Sequence, residues 1–336
     1  MKAWLERVWY RSAPPPLWLR PLSRAYGAVA AHLADARRRQ AQRLPVPVIV
    51  VGNVAVGGTG KTPSVLWLVE ALRRAGHRPG ILSRGYGGRG PFPMLVSPDT
   101  DPALCGDEPA LMAQRSGVPL AVAPDRLAGG RLLLARHPGV DVLVCDDGLQ
   151  HYRLARDLEL CIVDGARGYG NGWLLPAGPL REPPARARAA ALILVNGGDP
   201  AAFGATAIGF RLETAVAVNL ANGEQRPLSA FGAADVHAIA GIGNPPRFFD
   251  GLRVRGLQLR EHAFADHHAY VPADLEFGDG LPVLMTEKDA VKCRAFAQPH
   301  WWAVPADLSF VADGDTRLLA ELRKLRRAGP GFSTPR

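Results

Sequence analysis

Cysteine is scarce in this chain: four in 336 residues (Cys105, Cys145, Cys161 and Cys293), with no CxxC pair among them. That spacing excludes a disulfide framework and a thiolate metal site. Cys145 and Cys161 sit inside apolar strand-like runs, which suits reduced core residues of a cytosolic protein. Lysine is scarcer still beside arginine, five against 35. This bias is typical of GC-rich coding, so the net charge of +9 does not by itself argue for a nucleic-acid partner. No RRM, KH or zinc-finger pattern is present, and no nucleic acid is expected. Long apolar runs are absent as well. Nothing approaches the roughly 20 residues needed to span a bilayer. Charges and prolines interrupt the N-terminal apolar stretch, so no cleavable signal peptide is expected. There are no internal repeats.

What is abundant points to an α/β protein: 47% hydrophobic residues and 37 glycines, in a chain long enough for two domains with separate cores. The densest information lies between Val48 and Pro63. The β-branched run Val48 to Val51 reads as a buried strand. A glycine-rich turn follows and ends in Gly60-Lys61-Thr62, and Val65, Leu66, Leu68, Val69 and Leu72 then recur with helical period. Strand, glycine-rich turn and helix make a phosphate-binding loop. Val56, Gly57, Gly58, Thr59 and Gly60 present backbone N–H groups to phosphate oxygens, Lys61 supplies a cation for the β- and γ-phosphates, and the Thr62 hydroxyl is placed to ligate Mg²⁺. The first loop position is Ala55 rather than glycine.

Further strands are expected at Pro79 to Leu82, Leu120 to Ala123, Asp141 to Cys145, Leu158 to Val163 and Ala190 to Val195, with helical segments between them. That alternation implies right-handed βαβ units and a parallel sheet, whose ligands gather at the carboxyl ends of the strands. Arg84, Asp146 and Asp164 all follow strands and are expected to converge there with the phosphate loop. Val142 to Asp146 has the Walker B pattern, with Asp146 as a Mg²⁺ ligand beside Thr62. Asp147 follows at once, and two adjacent acids in an apolar setting need a neutralising cation. Around 206–228 the pattern turns to alternation and reads as extended linker strands, followed by a second α/β unit from 229 to 328 and a disordered tail at 329–336.

Several constellations remain open at the level of residues. Gly106-Asp107-Glu108-Pro109 places two acids at a helix start, either as favourable helix-end charges or as functional carboxylates. Asp266-His267-His268 lacks the further ligands of a zinc site, and His267 suits better the orientation of a carboxylate that takes a hydroxyl proton. The proline-bounded loop from Leu175 to Pro183 carries Arg181 and Glu182, each able to face phosphate or metal. Thr286-Glu287-Lys288-Asp289 has no evident chemistry. At the N-terminus, Trp4, Trp9 and Trp18 sit among arginines, followed by Leu22, Tyr26, Val29 and Leu33 at helical spacing. This composition suits either a lipid interface or a helix packed on the protein's own core. Partition-type ATPases carry a second lysine early in the loop, where this chain has Val56. GTPases read guanine with Asn-Lys-x-Asp, where this chain has Asn196-Gly197-Gly198-Asp199. ATP is therefore favoured over GTP.

Taken in order, Val51 to Pro63, Ser83 to Gly88, Gly106 to Pro109, Asp146 to His151, Leu175 to Pro183, Gly241 to Pro245, Phe264 to His268 and Thr286 to Asp289 resemble the tetraacyldisaccharide 4'-kinase family, the lipid A 4'-kinases of Gram-negative bacteria. The resemblance covers nearly the whole chain. It implies a P-loop NTPase-type parallel sheet with helices on both faces at 45–205, a β linker at 206–228 and a second, smaller α/β/α domain at 229–328. It implies transfer of the γ-phosphate of ATP to the 4'-hydroxyl of an acylated glucosamine disaccharide 1-phosphate, giving lipid IVA. Asp107 would act on the acceptor hydroxyl with help from His267 and with Lys61 at the phosphates. Mg²⁺ would lie on Thr62, Asp146, Asp147 and Glu182, and the acceptor on Asn53, Arg84, Glu108 and Arg181. It also makes 1–44 a membrane-associated segment of a monotopic enzyme on the cytoplasmic face of the inner membrane. The rival class is a P-loop regulatory ATPase that cycles on and off membranes without a lipid acceptor.

Overall fold

A computed structural model describes residues 2–11, 13–232 and 235–325. The tail expected at 329–336 lies outside the described residues. Two sheets organise the chain. In the larger, nine strands run in the order Asp307–Phe310, Ala207–Glu213, Leu192–Asn196, Leu158–Asp164, Val48–Gly52, Val142–Asp146, Pro79–Ser83, Leu120–Val122 and Met94–Val96. All neighbours are parallel except at the two edges, where Asp307–Phe310 and Met94–Val96 run antiparallel.

The central strands are apolar apart from Glu159 and the polar residues at their carboxyl ends, because both faces are covered. Period-two alternation sorts their side chains. Ile49, Val51, Val144 and Leu160 pack on one face with Leu68 and Leu72 of the helix Lys61–Arg74. Val48, Val50, Leu143 and Val163 pack on the other with Leu127 and Leu133 of the helix Arg126–Arg136. All four cysteines are free and buried. The phosphate-loop strand is central, so the loop, Ser83, Asp146, Asp164 and Asn196 leave the sheet at one rim.

The smaller sheet orders Gln225–Pro227, Val216–Asn219, Trp301–Val304, Val283–Thr286, Asp235–Ala240 and Gln258–Ala263, the last four parallel. The segment 206–228, expected as a linker, is divided between the sheets. Ala207–Glu213 extends the larger sheet beside Leu192–Asn196, and Val216–Asn219 joins the smaller one. The chain also returns at its end. Asp307–Phe310 pairs with Ala207–Glu213, and the helix Gly314–Arg323 buries Leu318 and Leu322 in the first core. The reason is apolar matching: Ile208 and Phe210 are buried among first-sheet side chains, so this strand belongs to that core.

At the N-terminus, the helices Lys2–Trp9 and Leu19–Arg39 lie against the loop before Pro183. Trp9 Nε1 donates to Pro176 O at 2.9 Å, Ser23 Oγ to Leu174 O at 2.7 Å and Tyr26 Oη to Arg181 O at 3.3 Å. The opposite side leaves Trp4, Leu17, Trp18, Leu22, Val29 and Leu33 exposed. The packed reading thus holds for the side that carries these three bonds, and the exposed apolar side chains are left uncovered by the described residues. Among the described residues no helix is long and apolar enough to cross a membrane.

Candidate active site

The phosphate loop is held from both sides. Val56 N donates to Pro179 O at 2.9 Å and Arg181 N to Val54 O at 2.7 Å, which ties the loop to the Leu175–Pro183 segment. Within the loop, the buried Asn53 points Nδ2 toward Thr59 Oγ1 at 3.4 Å. Its amide braces the loop, and its Oδ1 is buried without a partner. Gly60 sits at φ +97°, where a Cβ would stand 2.9 Å from Asn196 Nδ2, so only glycine fits the start of the helix. Lys61 and Thr62 open that helix, whose N-terminal N–H groups and dipole favour anions.

Asp146 and Asp147 separate sharply in environment. Asp147 receives Lys61 Nζ at 3.5 Å and Arg181 Nη1 at 3.2 Å. Burial works against its charge, but these two cations prevail and hold its carboxyl well below the usual range. Asp146 is buried; its Oδ2 accepts from Ser83 Oγ at 3.1 Å, whereas Oδ1 is buried without a partner. Burial, with Glu108 and Asp147 adding repulsion, pushes its carboxyl up to about 7. A buried carboxylate with one orphaned oxygen lacks a cation, and Mg²⁺ on one or two carboxylates plus phosphate oxygens suits that lack. Asp146 and Thr62 fit such an ion. Asp147 is already neutralised by side chains. Glu182 is engaged by Gln150 Nε2 at 2.8 Å and by the Tyr152 hydroxyl, so Arg181 and Glu182 serve different partners. Among the described residues no group of three or more His, Cys, Asp or Glu is arranged to hold a metal ion by itself.

The two sheets meet at Asp107. This residue opens the helix Asp107–Ser116, and its Oδ2 lies 2.9 Å from His267 Nδ1, which comes from the second sheet's side. Burial disfavours the Asp107 charge, yet the His267 hydrogen bond and the Lys288 ammonium outweigh it and lower the carboxyl. The same hydrogen bond raises the His267 imidazole. Glu108 pairs with Lys288 at 3.2 Å. Arg247, from the second unit, reaches Asn196 Oδ1 at 2.6 Å, beside Thr59.

Arg84 lines a cavity of about 320 Å³ with Arg37, Arg126 and Arg153. Arg126 is nearly fully buried and bonds only backbone carbonyls, Ala123 O and Asp146 O, with Nε unpartnered. Burial, with Arg126 and Arg84 adding to it, presses His151 down to about 3. Asp125 also lines the cavity, 3.9 Å from Arg153, so four arginines face one carboxylate there and positive charge is in excess. Arg126 and Lys288 went unread in the sequence. Both follow strands, Leu120–Val122 and Val283–Thr286, the same strand-end signal that drew attention to Arg84; for Lys288 the signal was present but the residues around it offered no chemistry to attach to it.

The fold and this site define a P-loop phosphotransferase. A family model described as Tetraacyldisaccharide-1-P 4'-kinase matches residues 16–324. The tetraacyldisaccharide 4'-kinase of Pseudomonas paraeruginosa is 52% identical over 94% of this chain and 96% of its own length. That of Stenotrophomonas maltophilia is 51% identical over 95% and 96%. A crystal structure described as the "apo" form of LpxK from Aquifex aeolicus in complex with ATP superposes with TM-score 0.75 at 29% identity, over 89% of this chain and 96% of that one. The chain belongs to the tetraacyldisaccharide 4'-kinase family.

Proposed function

We infer that this protein transfers the γ-phosphate of ATP to the 4'-hydroxyl of an acylated glucosamine disaccharide 1-phosphate, forming lipid IVA in lipid A biosynthesis. The carrying observation is the Asp107–His267 pair, brought from two separate sheets to the rim where the phosphate loop and Asp146 stand.

The loop from Val56 to Thr62 cradles the phosphates through backbone N–H groups. Lys61, paired with Asp147 at 3.5 Å, supplies the cation for the β- and γ-oxygens. Thr62 and Asp146 would hold Mg²⁺, which would supply neutralising charge at the phosphates. Asp107 is ionised at neutral pH. Each of its oxygens accepts one hydrogen bond, from Glu108 N at 3.0 Å and from His267, which leaves lone pairs to orient and deprotonate the acceptor hydroxyl. A weak base suffices, because in a loose phosphoryl-transfer transition state the hydroxyl proton leaves late. The arginine-lined cavity with Arg84 takes the acceptor's anionic end, and Glu108 and Arg181 stand outside its lining, on Lys288 and Asp147.

The exposed Trp18, Leu22, Val29 and Leu33, with the arginines of the same segment, suit a lipid interface. We place this face on the inner-membrane surface, on the cytoplasmic side where ATP is available. An assay of ATP turnover with and without the lipid disaccharide tests the reading. Phosphate should move to the lipid, and ATP hydrolysis that ignores the acceptor would overturn it.

A further inference from the structure

Lys288 touches the Asp107 site, and the helix that carries it is firmly held. Thr286 Oγ1 caps the helix Glu287–Cys293, accepting from Asp289 N at 3.2 Å and donating to Asp289 Oδ2 at 2.6 Å. Asp289 is fully buried and is held by Gly241 N at 3.0 Å and Lys292 Nζ at 2.9 Å. The first turn is thereby rigid, and it sends Lys288 across to the other sheet's side. There Nζ stands 3.2 Å from Glu108 Oε1, 3.6 Å from Asp266 Oδ1, 3.9 Å from Asp107 Oδ2 and 3.5 Å from His267 Nε2.

We propose that Lys288 is a positioning residue for the transfer step: its ammonium holds the His267 imidazole in the tautomer with the proton on Nδ1, the one that donates to Asp107. The proposal rests on the Asp107–His267 reading above. An ammonium has three donors and no acceptor, so a hydrogen bond from Lys288 Nζ to Nε2 at 3.5 Å uses a lone pair there; Asp266 Oδ1, 3.8 Å from the same nitrogen, is itself paired with Lys288 at 3.6 Å. A neutral ring with Nε2 bare carries its proton on Nδ1, 2.9 Å from the Asp107 carboxylate. The other tautomer sets an N–H against the ammonium and a lone pair against the carboxylate. The imidazolium also satisfies Asp107, but it places a second positive charge 3.5 Å from Lys288. Three carboxylates around one nitrogen keep Lys288 charged, and its affinity for a proton is raised in spite of burial.

The groups facing the pair come from every element around it. Asp107 and Glu108 lie on the helix Asp107–Ser116, Lys288 and Lys292 on the helix Glu287–Cys293, Asp266 on His267's own loop, and the Tyr86 ring is 5.2 Å from the imidazole.

The test uses full-length protein labelled with ¹⁵N-histidine, with the His267 signal assigned by its loss in His267→Asn. The wild type should show a protonated Nδ1 and a bare Nε2. In Lys288→Met, the His267 pKa should rise by about one unit or more, because a like charge has gone. The acid limb of kcat against pH should move up with it, kcat at neutral pH should fall roughly 10–100-fold within the range of acid–base help, and the KM for ATP should hold. Lys288→Arg keeps the charge and should restore the limb. A proton found on Nε2 in the wild type, or an unmoved limb in Lys288→Met, overturns the proposal. Should Lys288→Met fail to fold, the wild-type and Lys288→Arg spectra still decide it. If Asp107→Ala keeps its turnover, the dyad reading falls, while the tautomer spectrum continues to judge Lys288 separately.

Discussion

Two adjacent aspartates with opposite fates set the chemistry at the residue scale. Asp147 spends its charge on Lys61 and Arg181, and Asp146 keeps one oxygen open. Lys61→Ala should therefore abolish transfer with the fold intact, and a variant retaining more than about a tenth of wild-type kcat would remove the lysine from the phosphates, since such electrostatic groups are typically worth 10²–10³. Asp146→Asn should raise the Mg²⁺ concentration needed for half-maximal activity, since a neutral amide replaces a charged ligand. An unchanged Mg²⁺ titration would take Asp146 out of the metal site. Asp107→Ala should cut kcat by roughly 10²–10⁴ with ATP affinity little changed. His267→Ala should behave alike, and because the two share a hydrogen bond the double variant should lose far less than the sum; additive losses would mean they act separately.

At the scale of elements, the helix Leu19–Arg39 is docked along one side and exposes apolar side chains along another. One face bonds the loop that carries Arg181 and Glu182 through Ser23 and Tyr26, and the other exposes Leu22, Val29 and Leu33. Replacing those three with glutamine should release protein from anionic liposomes while leaving the helix packing and ATP affinity alone. Full co-sedimentation of the triple variant would place the lipid-binding surface elsewhere. Deleting the chain through Arg20 is a harsher change, because Trp9 and its bond to Pro176 O go with it. That truncation should lower kcat as well as raise the apparent KM for lipid, through a loosened Arg181 loop.

Across the whole molecule, the two sheets are joined by charge as well as by chain. Arg115 of the helix Asp107–Ser116 pairs with Glu287 at 2.6 Å and with Asp307 at 2.6 Å. Burial raises the Glu287 carboxyl, and Arg115 opposes it. Arg115→Ala strands this largely buried carboxylate and should cost roughly 3 kcal/mol, at the low end for breaking a buried pair. An acid whose folded pKa is raised destabilises the fold when ionised. The deficit should thus be greatest at neutral pH and shrink as pH falls into the carboxylate range, which thermal melts at a series of pH values will show. A pH-independent deficit would mean that lost packing, not the stranded charge, dominates.

Local chemistry was legible because its parts are contiguous. Strand, phosphate loop and helix occupy neighbouring positions, as do the apolar run and terminal carboxylate of Val142 to Asp146, so residue type and period alone specify them. The parallel sheet followed from the same alternation of elements. Only the tertiary structure decided which of the twin aspartates keeps an open oxygen, because that depends on Lys61 and Arg181 arriving from other segments. It also divided the alternating stretch after Thr206 between two cores, since Ile208 and Phe210 find their apolar partners in the first. The contacts of Asp107 with His267, 160 positions away, and of Lys288 with Glu108, 180 away, are likewise absent from any local pattern. Such contacts form only when one core's packing sets a helix end against another's, and periodicity within a segment carries no record of that meeting.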